Sequence, residues 1–243
     1  MKIFQVFSGN LGDTLNALPV LSGIYKATGE PIEIIYREKM KMFQGIREVL
    51  EYQECIGKVT FENEVTSDVK ARFMGLTDDF EKHINRPWET VRLDESFREQ
   101  NPDIKYEIDD NFILNTPTYN MSSDTIFVGD RKKDSRADHR RKFNLIESCG
   151  KVPPDKVVYL NYNDPLLYNI SLIKSLDKPF ISTFTGISII ADLCNIENIV
   201  LYDDEIGNWD NKTIDYSFNK HYYRDRKSKA VHVDDFNFSE YEA

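Results

Sequence analysis

The residues best suited to chemistry follow the first apolar run of the chain, in the stretch SGNLGDTLNALP at Ser8–Pro19. Gly9 and Gly12 allow the backbone to turn sharply, and Asp13 then lies at the start of a helix. The positive end of the helix dipole keeps a carboxylate ionised there, and an ionised carboxylate can accept a proton from a nearby hydroxyl. Asp13 is also suited to cap the helix through its first-turn amides, so both roles stay open.

A second turn of interest joins a strand to a helix in the stretch STFTGISIIA at Ser182–Ala191. Free N–H groups and the helix dipole favour an anion at a helix amino terminus that follows such a turn. The alternative is an ordinary strand-to-helix junction in which Thr185 caps the helix. The turn is therefore a candidate anion site.

Basic residues are gathered in two short stretches, Arg131–Lys142 and Arg224–Lys229, whereas acids dominate elsewhere and the formal net charge is −10. This balance argues against a protein that coats nucleic acid in general, although phosphate-bearing ligands stay open. In the first stretch, Arg136 and Arg140 carry guanidinium groups, which suit phosphate oxygens. A solvated basic helix face is the alternative for that stretch.

Alternating strands and helices must position these turns, and this alternation favours parallel sheets with ligands at the carboxyl ends of the strands. Apolar and β-branched runs predict strands at 2–7, 32–36, 125–128, 156–160, 180–183 and 198–202. Apolar spacing predicts helices at 14–28, where Gly29 ends the pattern, and at 40–52, 141–148, 166–176 and 186–194. The charged middle of the chain, 61–119, has little periodicity and predicts only short helices.

The length of 243 residues allows one or two domains with a proper core. The two α/β series predict domains at 1–118 and 119–243, with the tail from Lys212 as a candidate to cross back to the first. The sequence contains neither an apolar run of bilayer length nor a signal-peptide pattern, so we expect a cytoplasmic protein. Three widely spaced cysteines predict buried free thiols rather than disulfides or zinc ligands. They are Cys55, Cys149 and Cys194.

The stretch Ser8–Pro19, with its Gly12-Asp13 pair and Pro19, resembles the opening motif of the heptosyltransferase-like glycosyltransferases, which include the lipopolysaccharide ADP-heptose transferases. The stretch Ser182–Ala191 is similar to a second motif of that family, Asp-Thr/Ser-Gly-x-x-His-x-Ala. Thr185, Gly186 and Ala191 match this pattern, whereas Phe184 stands in place of the Asp and Ile189 in place of the His.

The resemblance implies a GT-B fold, in which two Rossmann-like domains with mostly parallel sheets face each other across a cleft. It implies an inverting, metal-independent transferase with the acceptor on the first domain and the nucleotide sugar, a co-substrate rather than a cofactor, on the second. Asp13 would be the catalytic base, beside Asn10 and Gly12 on the acceptor-side loop. The residues assigned to the donor are Arg136, Arg140, Thr185, Gly186 and Ser188.

The four histidines form no ligand grouping, so no metal site is predicted. The acidic run Asp203–Glu205 follows a strand and is a candidate contact for the donor ribose or sugar. P-loop, hydrolase-elbow and Cys-x-x-Cys patterns are absent from the sequence, which excludes those three classes.

The acceptor has several candidates. The Tyr-, Asn- and Lys-rich composition resembles that of proteins of large DNA bacteriophages, some of which glycosylate hydroxymethylated bases, and would place the chain in the host cytoplasm. The stretch HYYRDRKSK at His221–Lys229 interleaves aromatic and cationic side chains, as nucleic-acid surfaces do. A DNA base, a saccharide, a lipid and a small molecule all stay open as acceptors. Because Phe184 and Ile189 depart from the family pattern, a non-catalytic nucleotide-binding module is the alternative function, followed by plain DNA binding.

Overall fold

The structure, a computed structural model, describes residues 2–6, 11–66, 70–74, 93–117, 126–129, 151, 157–159, 164–183, 186–202 and 227–241. The chain divides into two compact units, Met1–Thr116 and Pro117–Ala243. Each contains a parallel sheet with helices, so the predicted α/β class is confirmed. Within the described part of the chain, no helix is both long and apolar enough to cross a membrane.

The first unit is built on a four-stranded parallel sheet. Its strands are β1 (Lys2–Val6), β2 (Ile32–Tyr36), β3 (Ile56–Phe61) and β4 (Arg72–Met74), in the order β3-β2-β1-β4. β2 has the predicted bounds, and β1 ends one residue earlier than predicted. β3 and β4 are additions to the sequence prediction.

Two helices, α1 (Leu11–Asn16) and α2 (Leu18–Thr28), replace the single helix predicted at 14–28. The division falls at Ala17, two residues before Pro19. Proline fits only the first turn of a helix, because it has no N–H to donate. Gly29 ends α2 as predicted, with φ of 69° and its N–H donated to the Tyr25 carbonyl at 2.7 Å. The predicted apolar positions Leu15, Leu18, Leu21 and Ile24 are fully buried.

The helix predicted at 40–52 is wrong as a single element. The chain forms a 3-10 turn at Glu38–Met42 and then helix α3 at Ile46–Glu51. Between them Gly45 has φ of 85°, a left-handed conformation that interrupts an α-helix and that glycine adopts without steric cost. The predicted apolar positions of this stretch still face the core, because Met40, Val49 and Leu50 are fully buried.

The charged middle of the chain contains helix α4 (Leu93–Gln100), which packs Phe97 against Phe4 of β1 with ring centroids 5.2 Å apart. An extended segment, 101–117, follows it and crosses α2. The Asp109 N–H donates to the Pro19 carbonyl at 3.1 Å, and the Gly23 position has no room for a side chain because the Glu107 carbonyl oxygen occupies it. The segment is therefore fixed by tertiary contacts.

The Asp109 carboxylate anchors this segment to α2. Its Oδ2 accepts a hydrogen bond from Ser22 Oγ at 2.6 Å and lies 2.7 Å from Lys26 Nζ. Burial alone would raise the pKa of Asp109, but the hydrogen bonds from Lys26 and Ser22 outweigh it and hold the pKa below its usual value. The carboxylate is consequently ionised and paired.

The buried side-chain amide of Gln53 binds the end of the same segment through two hydrogen bonds to the backbone of one residue, as a neighbouring β-strand would. Its Nε2 donates to the Asn115 carbonyl at 2.8 Å, and its Oε1 accepts from the Asn115 N–H at 2.9 Å. Nε2 also donates to the Val49 carbonyl at 2.6 Å. We call this set of bonds the Gln53 clasp.

The Tyr36 hydroxyl is buried and has no hydrogen-bond partner among the described residues, and burial raises the pKa of Tyr36. Because an unpaired buried hydroxyl is destabilising, we expect Tyr36→Phe to raise the free energy of unfolding by about 1 kcal/mol. Urea denaturation measures the change. Tyr106→Phe is the matched control, since the Tyr106 hydroxyl donates to the Asp94 carbonyl at 3.3 Å and its removal should be destabilising. A loss of stability in Tyr36→Phe would contradict the prediction.

The second unit is built on a five-stranded parallel sheet. Its strands are β5 (Ile126–Gly129), β6 (Val157–Tyr159), β7 (Phe180–Thr183), β8 (Asn198–Tyr202) and β9 (Ser228–His232), in the order β6-β5-β7-β8-β9. Its described helices are α5 (Leu166–Lys174) and α6 (Gly186–Leu193). The predictions of β7 and β8 are confirmed to the residue, whereas β9 is an addition and the helix predicted at 141–148 lies outside the described residues.

The described part of the tail, 227–241, forms β9 and then packs on the second sheet. Phe236 and Phe238 form a buried cluster with Ile181, Ile199 and Leu201. That the tail crosses back to the first unit stays a prediction. The end of the proposed nucleic-acid stretch falls in β9, where Lys229 Nζ lies 3.5 Å from a Glu197 carboxylate oxygen.

The thiols of Cys55 and Cys194 are free and buried, as the sequence predicted. Burial raises the pKa of each to about 12, which keeps both protonated and unreactive at neutral pH. Cys149 lies outside the described residues.

Candidate functional site

The turn after β1 lies where the strand order of the first sheet reverses. β1 is flanked by β2 on one side and by β4 on the other, with Val6 paired to both Tyr36 and Met74 at the carboxyl end. In open α/β sheets, ligands bind beyond the carboxyl ends of the strands at such a switch point. The loop from β1 to α1 leads directly out of this position.

Asp13 is the third residue of α1, inside its first turn. α1 begins at Leu11, two residues before Asp13, so the expectation that Asp13 is the cap residue is wrong. Its neighbour Thr14 is fully buried and donates its hydroxyl to the Met40 sulfur at 3.7 Å, which ties α1 to the 3-10 turn after β2. Gly12 is the second residue of α1, while Asn10 lies outside the described residues.

Charged side chains at the carboxyl edge of the first sheet pair with one another. Glu64 accepts two hydrogen bonds from Arg47 Nη2, at 2.8 and 2.6 Å, and lies 3.3 Å from Lys41 Nζ. Both cations lie 4.9 Å from the centroid of the Phe61 ring. The Phe61 N–H first, and then Arg47, lower the pKa of Glu64 to about 2. Arg47 and Lys41 are thus paired with carboxylates of the same unit.

The turn after β7 lies at the corresponding place in the second sheet. β7 pairs with β8 on one side and with β5 on the other, where Gly129 is opposite Ser182. The order β6-β5-β7-β8-β9 reverses between β5 and β7. β7 ends at Thr183 and α6 begins at Gly186, so the first turn of α6 starts beside this second switch point.

The first turn of α6 offers free backbone donors at this point. The amides of Gly186 and Ile187 precede the first intrahelical hydrogen bond and have no acceptor within the described part of the helix. Nearby, the Thr183 hydroxyl is buried at the end of β7 and finds no hydrogen-bond partner in the part of the chain that the structure describes. An anion at this turn would be bound by backbone N–H groups and by the helix dipole.

A buried polar network lies behind this turn, on the sheet face that α6 covers. The Asn198 side chain accepts a hydrogen bond from Ser182 Oγ at 2.8 Å and donates to the Ser188 carbonyl at 3.1 Å. It also donates to Ser228 Oγ at 3.3 Å, and Ser228 in turn donates to Asp192 Oδ1 at 2.9 Å. The network joins β7, β8 and β9 to α6.

Two negative observations concern other kinds of site. Among the described residues, no group of three His, Cys, Asp or Glu side chains is placed to hold a metal ion.

A groove of about 1030 Å³ runs along the second half of α2, lined by residues that include Lys26, Arg98 and Tyr106. None of the residues singled out from the sequence lines this groove.

Comparison with solved structures decides the fold. Escherichia coli heptosyltransferase WaaC with ADP matches over 99% of this chain and 97% of its own, with 13% identity and a TM-score of 0.57. A glycosyl transferase family 9 structure from Veillonella parvula matches over 95% and 86%, with 11% identity and a TM-score of 0.59. The chain has the heptosyltransferase fold. E. coli ADP-heptose LPS heptosyltransferase II agrees, matching over 95% and 90% with 11% identity and a TM-score of 0.54.

No protein-family model and no curated protein matches the sequence. The heptosyltransferase fold is therefore recognised through structure and through the short motifs, and the predicted GT-B class is confirmed.

Within the heptosyltransferase fold, the structure describes only some of the residues predicted to bind a donor. Gly186 is the first residue of α6, and Ser188 lies fully buried in the first turn of that helix. Ile189, which replaces the family's His, is buried in the same helix. The remaining candidates lie outside the described residues; they are Arg136, Arg140, Phe184, Thr185 and Asp203–Glu205.

Asn198 is the site residue that sequence reasoning missed. An asparagine before the apolar run Ile199–Leu201 reads as an exposed strand start, since asparagine favours turns. The available signal was the set of small polar residues within apolar elements, Ser182, Ser188 and Asp192, which need hydrogen-bond partners when they are buried.

Proposed function

We propose that the chain is a glycosyltransferase that moves a sugar from a nucleotide-sugar donor to an acceptor hydroxyl. The observation that supports this most strongly is the placement of both motif turns at the switch points of two separate parallel sheets in a heptosyltransferase fold. Structures of WaaC are described with ADP and with ADP-2-deoxy-2-fluoro heptose. By analogy, the donor is a sugar linked to a nucleoside diphosphate.

The donor diphosphate is assigned to the turn between β7 and α6. The first-turn amides of Gly186 and Ile187 are the donors for its oxygens, and the dipole of α6 favours its charge. Arg136 and Arg140 are the proposed cations that neutralise the diphosphate as it leaves, a role in which charge-assisted hydrogen bonds are effective. These assignments require no metal ion, and we propose that turnover persists in EDTA.

The acceptor is assigned to the turn between β1 and α1, with Asp13 as general base. The acceptor oxygen forms a bond to the anomeric carbon while the bond from that carbon to the diphosphate oxygen breaks. Asp13 takes the proton of the acceptor hydroxyl, and the nucleoside diphosphate leaves from the opposite face with the bonding electrons. The configuration at the anomeric carbon is inverted.

The proposed acceptors are a hydroxymethylated base in DNA and, as the alternative, a saccharide or lipid hydroxyl. A DNA acceptor is supported by the aromatic and cationic stretch His221–Lys229. The described end of that stretch, where Lys229 lies near Glu197, shows how acidic neighbours reduce its net positive charge. An acceptor assay therefore needs hydroxymethylated DNA, saccharide and lipid arms.

The test of the proposed function is a thermal-shift panel of nucleoside diphosphates and their sugar conjugates. A ligand that binds only the folded state at a concentration of 100 Kd contributes about 2.7 kcal/mol, which raises Tm measurably. We expect the increase in Tm to be selective for nucleotides of one base. Nucleosides test whether the base alone is sufficient, and inorganic pyrophosphate tests whether the charge alone is sufficient. The absence of a shift with every nucleotide would contradict a donor site.

A non-catalytic nucleotide-binding module is the second candidate, because Phe184 and Ile189 replace the Asp and His of the resembled motif. It predicts the same base-selective shift without transfer to any acceptor. Detection of a glycosylated product with inverted configuration separates the two functions.

A further inference from the structure

The first turn of α6 is held from behind by one buried side chain. Asn198 is fully buried, and its amide donates to the carbonyl of Ser188, the third residue of α6, at 3.1 Å. Ser182 Oγ donates to the opposite end of the same amide at 2.8 Å. Because both ends of the amide are engaged, Asn198 cannot rotate without breaking a buried hydrogen bond.

The network fixes the position of α6 over the sheet, which apolar packing alone would leave adjustable. Apolar side chains tolerate small sliding movements of a helix over a sheet, whereas a satisfied buried network specifies one arrangement. Ser228 and Asp192 extend the network from β9 to the last part of α6, through bonds of 3.3 and 2.9 Å. The helix is therefore held at two points along its length.

We propose that Asn198 is a positioning residue that sets the first turn of α6 in the geometry that binds a nucleoside diphosphate. The inference rests on the proposed function for the identity of the ligand. Asn198 lies behind the turn and touches no ligand, so it acts through the backbone of Ser188. Anion-binding amides need placement to within about 0.5 Å, which a hydrogen bond in the same turn supplies.

The test measures ligand affinity and local backbone exchange in parallel. UDP, ADP, GDP and CDP are titrated by calorimetry into the wild-type chain, Asn198→Ala and Asn198→Asp. The Asp variant keeps the size of the side chain and the oxygen that accepts from Ser182, but it lacks the donor to Ser188. We expect both variants to bind the preferred nucleotide at least tenfold more weakly, and the amides of Ile189–Ala191, the first that donate within α6, to exchange at least tenfold faster with deuterium.

The matched control is Phe236→Leu, which loosens the core on the opposite face of the same sheet. It should lower Tm while leaving the affinity within twofold and the exchange of α6 unchanged, so that a general loss of stability is distinguished from a loss of position. Ser182→Ala is a milder variant, which removes the bond that orients the Asn198 amide without altering α6. If the Asn198 variants do not fold, a threefold or greater loss of affinity in Ser182→Ala supports the proposal.

Two outcomes overturn different statements. Variants that fold and bind within twofold of wild type, or that leave exchange in the first turn of α6 unchanged, overturn the role of Asn198. A wild-type chain that binds none of the four nucleotides overturns the donor site itself, and the exchange data then still decide whether Asn198 positions α6.

Discussion

Asp13→Asn is expected to lower kcat by about 10²–10⁴-fold, the usual contribution of a general base, while the Kd for the donor stays within about twofold of wild type. The amide keeps the size of the side chain but cannot accept the proton of the acceptor hydroxyl. The donor lies on the second unit in the proposed scheme, so its binding does not depend on this carboxylate. Single-turnover rates and donor titrations on the same preparation measure both quantities.

The pH profile gives a second signature of the same role. A protonated Asp13 cannot act as a base, so the wild-type rate should fall as the carboxylate protonates at low pH, and this fall should be missing in Asp13→Asn. Glu38→Gln is the control, because Glu38 is a carboxylate on the same unit that pairs with Lys41 at 2.8 Å. An Asp13→Asn enzyme with wild-type turnover would exclude Asp13 as the base.

Gly23→Ala is expected to lower the free energy of unfolding by about 1–3 kcal/mol, the range for overpacking a core. In an isolated helix the same change would be stabilising by about 1 kcal/mol, because alanine is the better helix former. Here the new Cβ would meet the backbone carbonyl of Glu107, which cannot move aside as a flexible side chain could. Steric repulsion therefore outweighs helix propensity, and urea denaturation should show it.

Gly23→Ala should also loosen the structure locally, around the contact between α2 and the segment 101–117. Faster deuterium exchange at the Asp109 amide is expected, because that amide donates to the Pro19 carbonyl across the same contact. Gly29→Ala is the matched control at the end of the same helix, where a Cβ meets no atom within 4 Å and only the left-handed backbone opposes the change. A Gly23→Ala chain that is as stable as wild type would show that the segment 101–117 can move off α2 without loss.

Local sequence determined the elements that are bounded by strong turn chemistry. β2 is an apolar run that begins directly after Pro31, and β7 and β8 are short buried runs, so the limits of all three strands matched the prediction. The helix at 40–52 was mispredicted because its apolar spacing continues through Gly45, and only the fold shows that Gly45 has a positive φ. The spacing of apolar residues at 40–52 therefore predicted correctly which side chains are buried, but it did not predict the backbone conformation.

Tertiary contacts determined what the sequence could not show. The segment 101–117 has no regular hydrogen bonding of its own, and its path depends on Gly23 and Asp109, which have no distinctive spacing. The two candidate turns were predictable from the sequence, because Gly12, Asp13 and Gly186 each lie within a few residues of the strand and the helix that the turn connects. The Asn198 network joins four separate elements, so the sequence indicates that Ser182, Ser188 and Asp192 need partners but not which residues supply them.

The Gln53 clasp determines where the first unit can be separated from the rest of the chain. Both partners of the clasp lie before residue 117, so a fragment that ends at Thr116 carries every bond of the clasp within itself. A cut made only a few residues earlier, before Asn115, would remove both bonds between Gln53 and Asn115 and leave the buried Gln53 amide with only its bond to the Val49 carbonyl among the bonds of the clasp. The boundary for dissecting the two units is thus set by a single glutamine side chain.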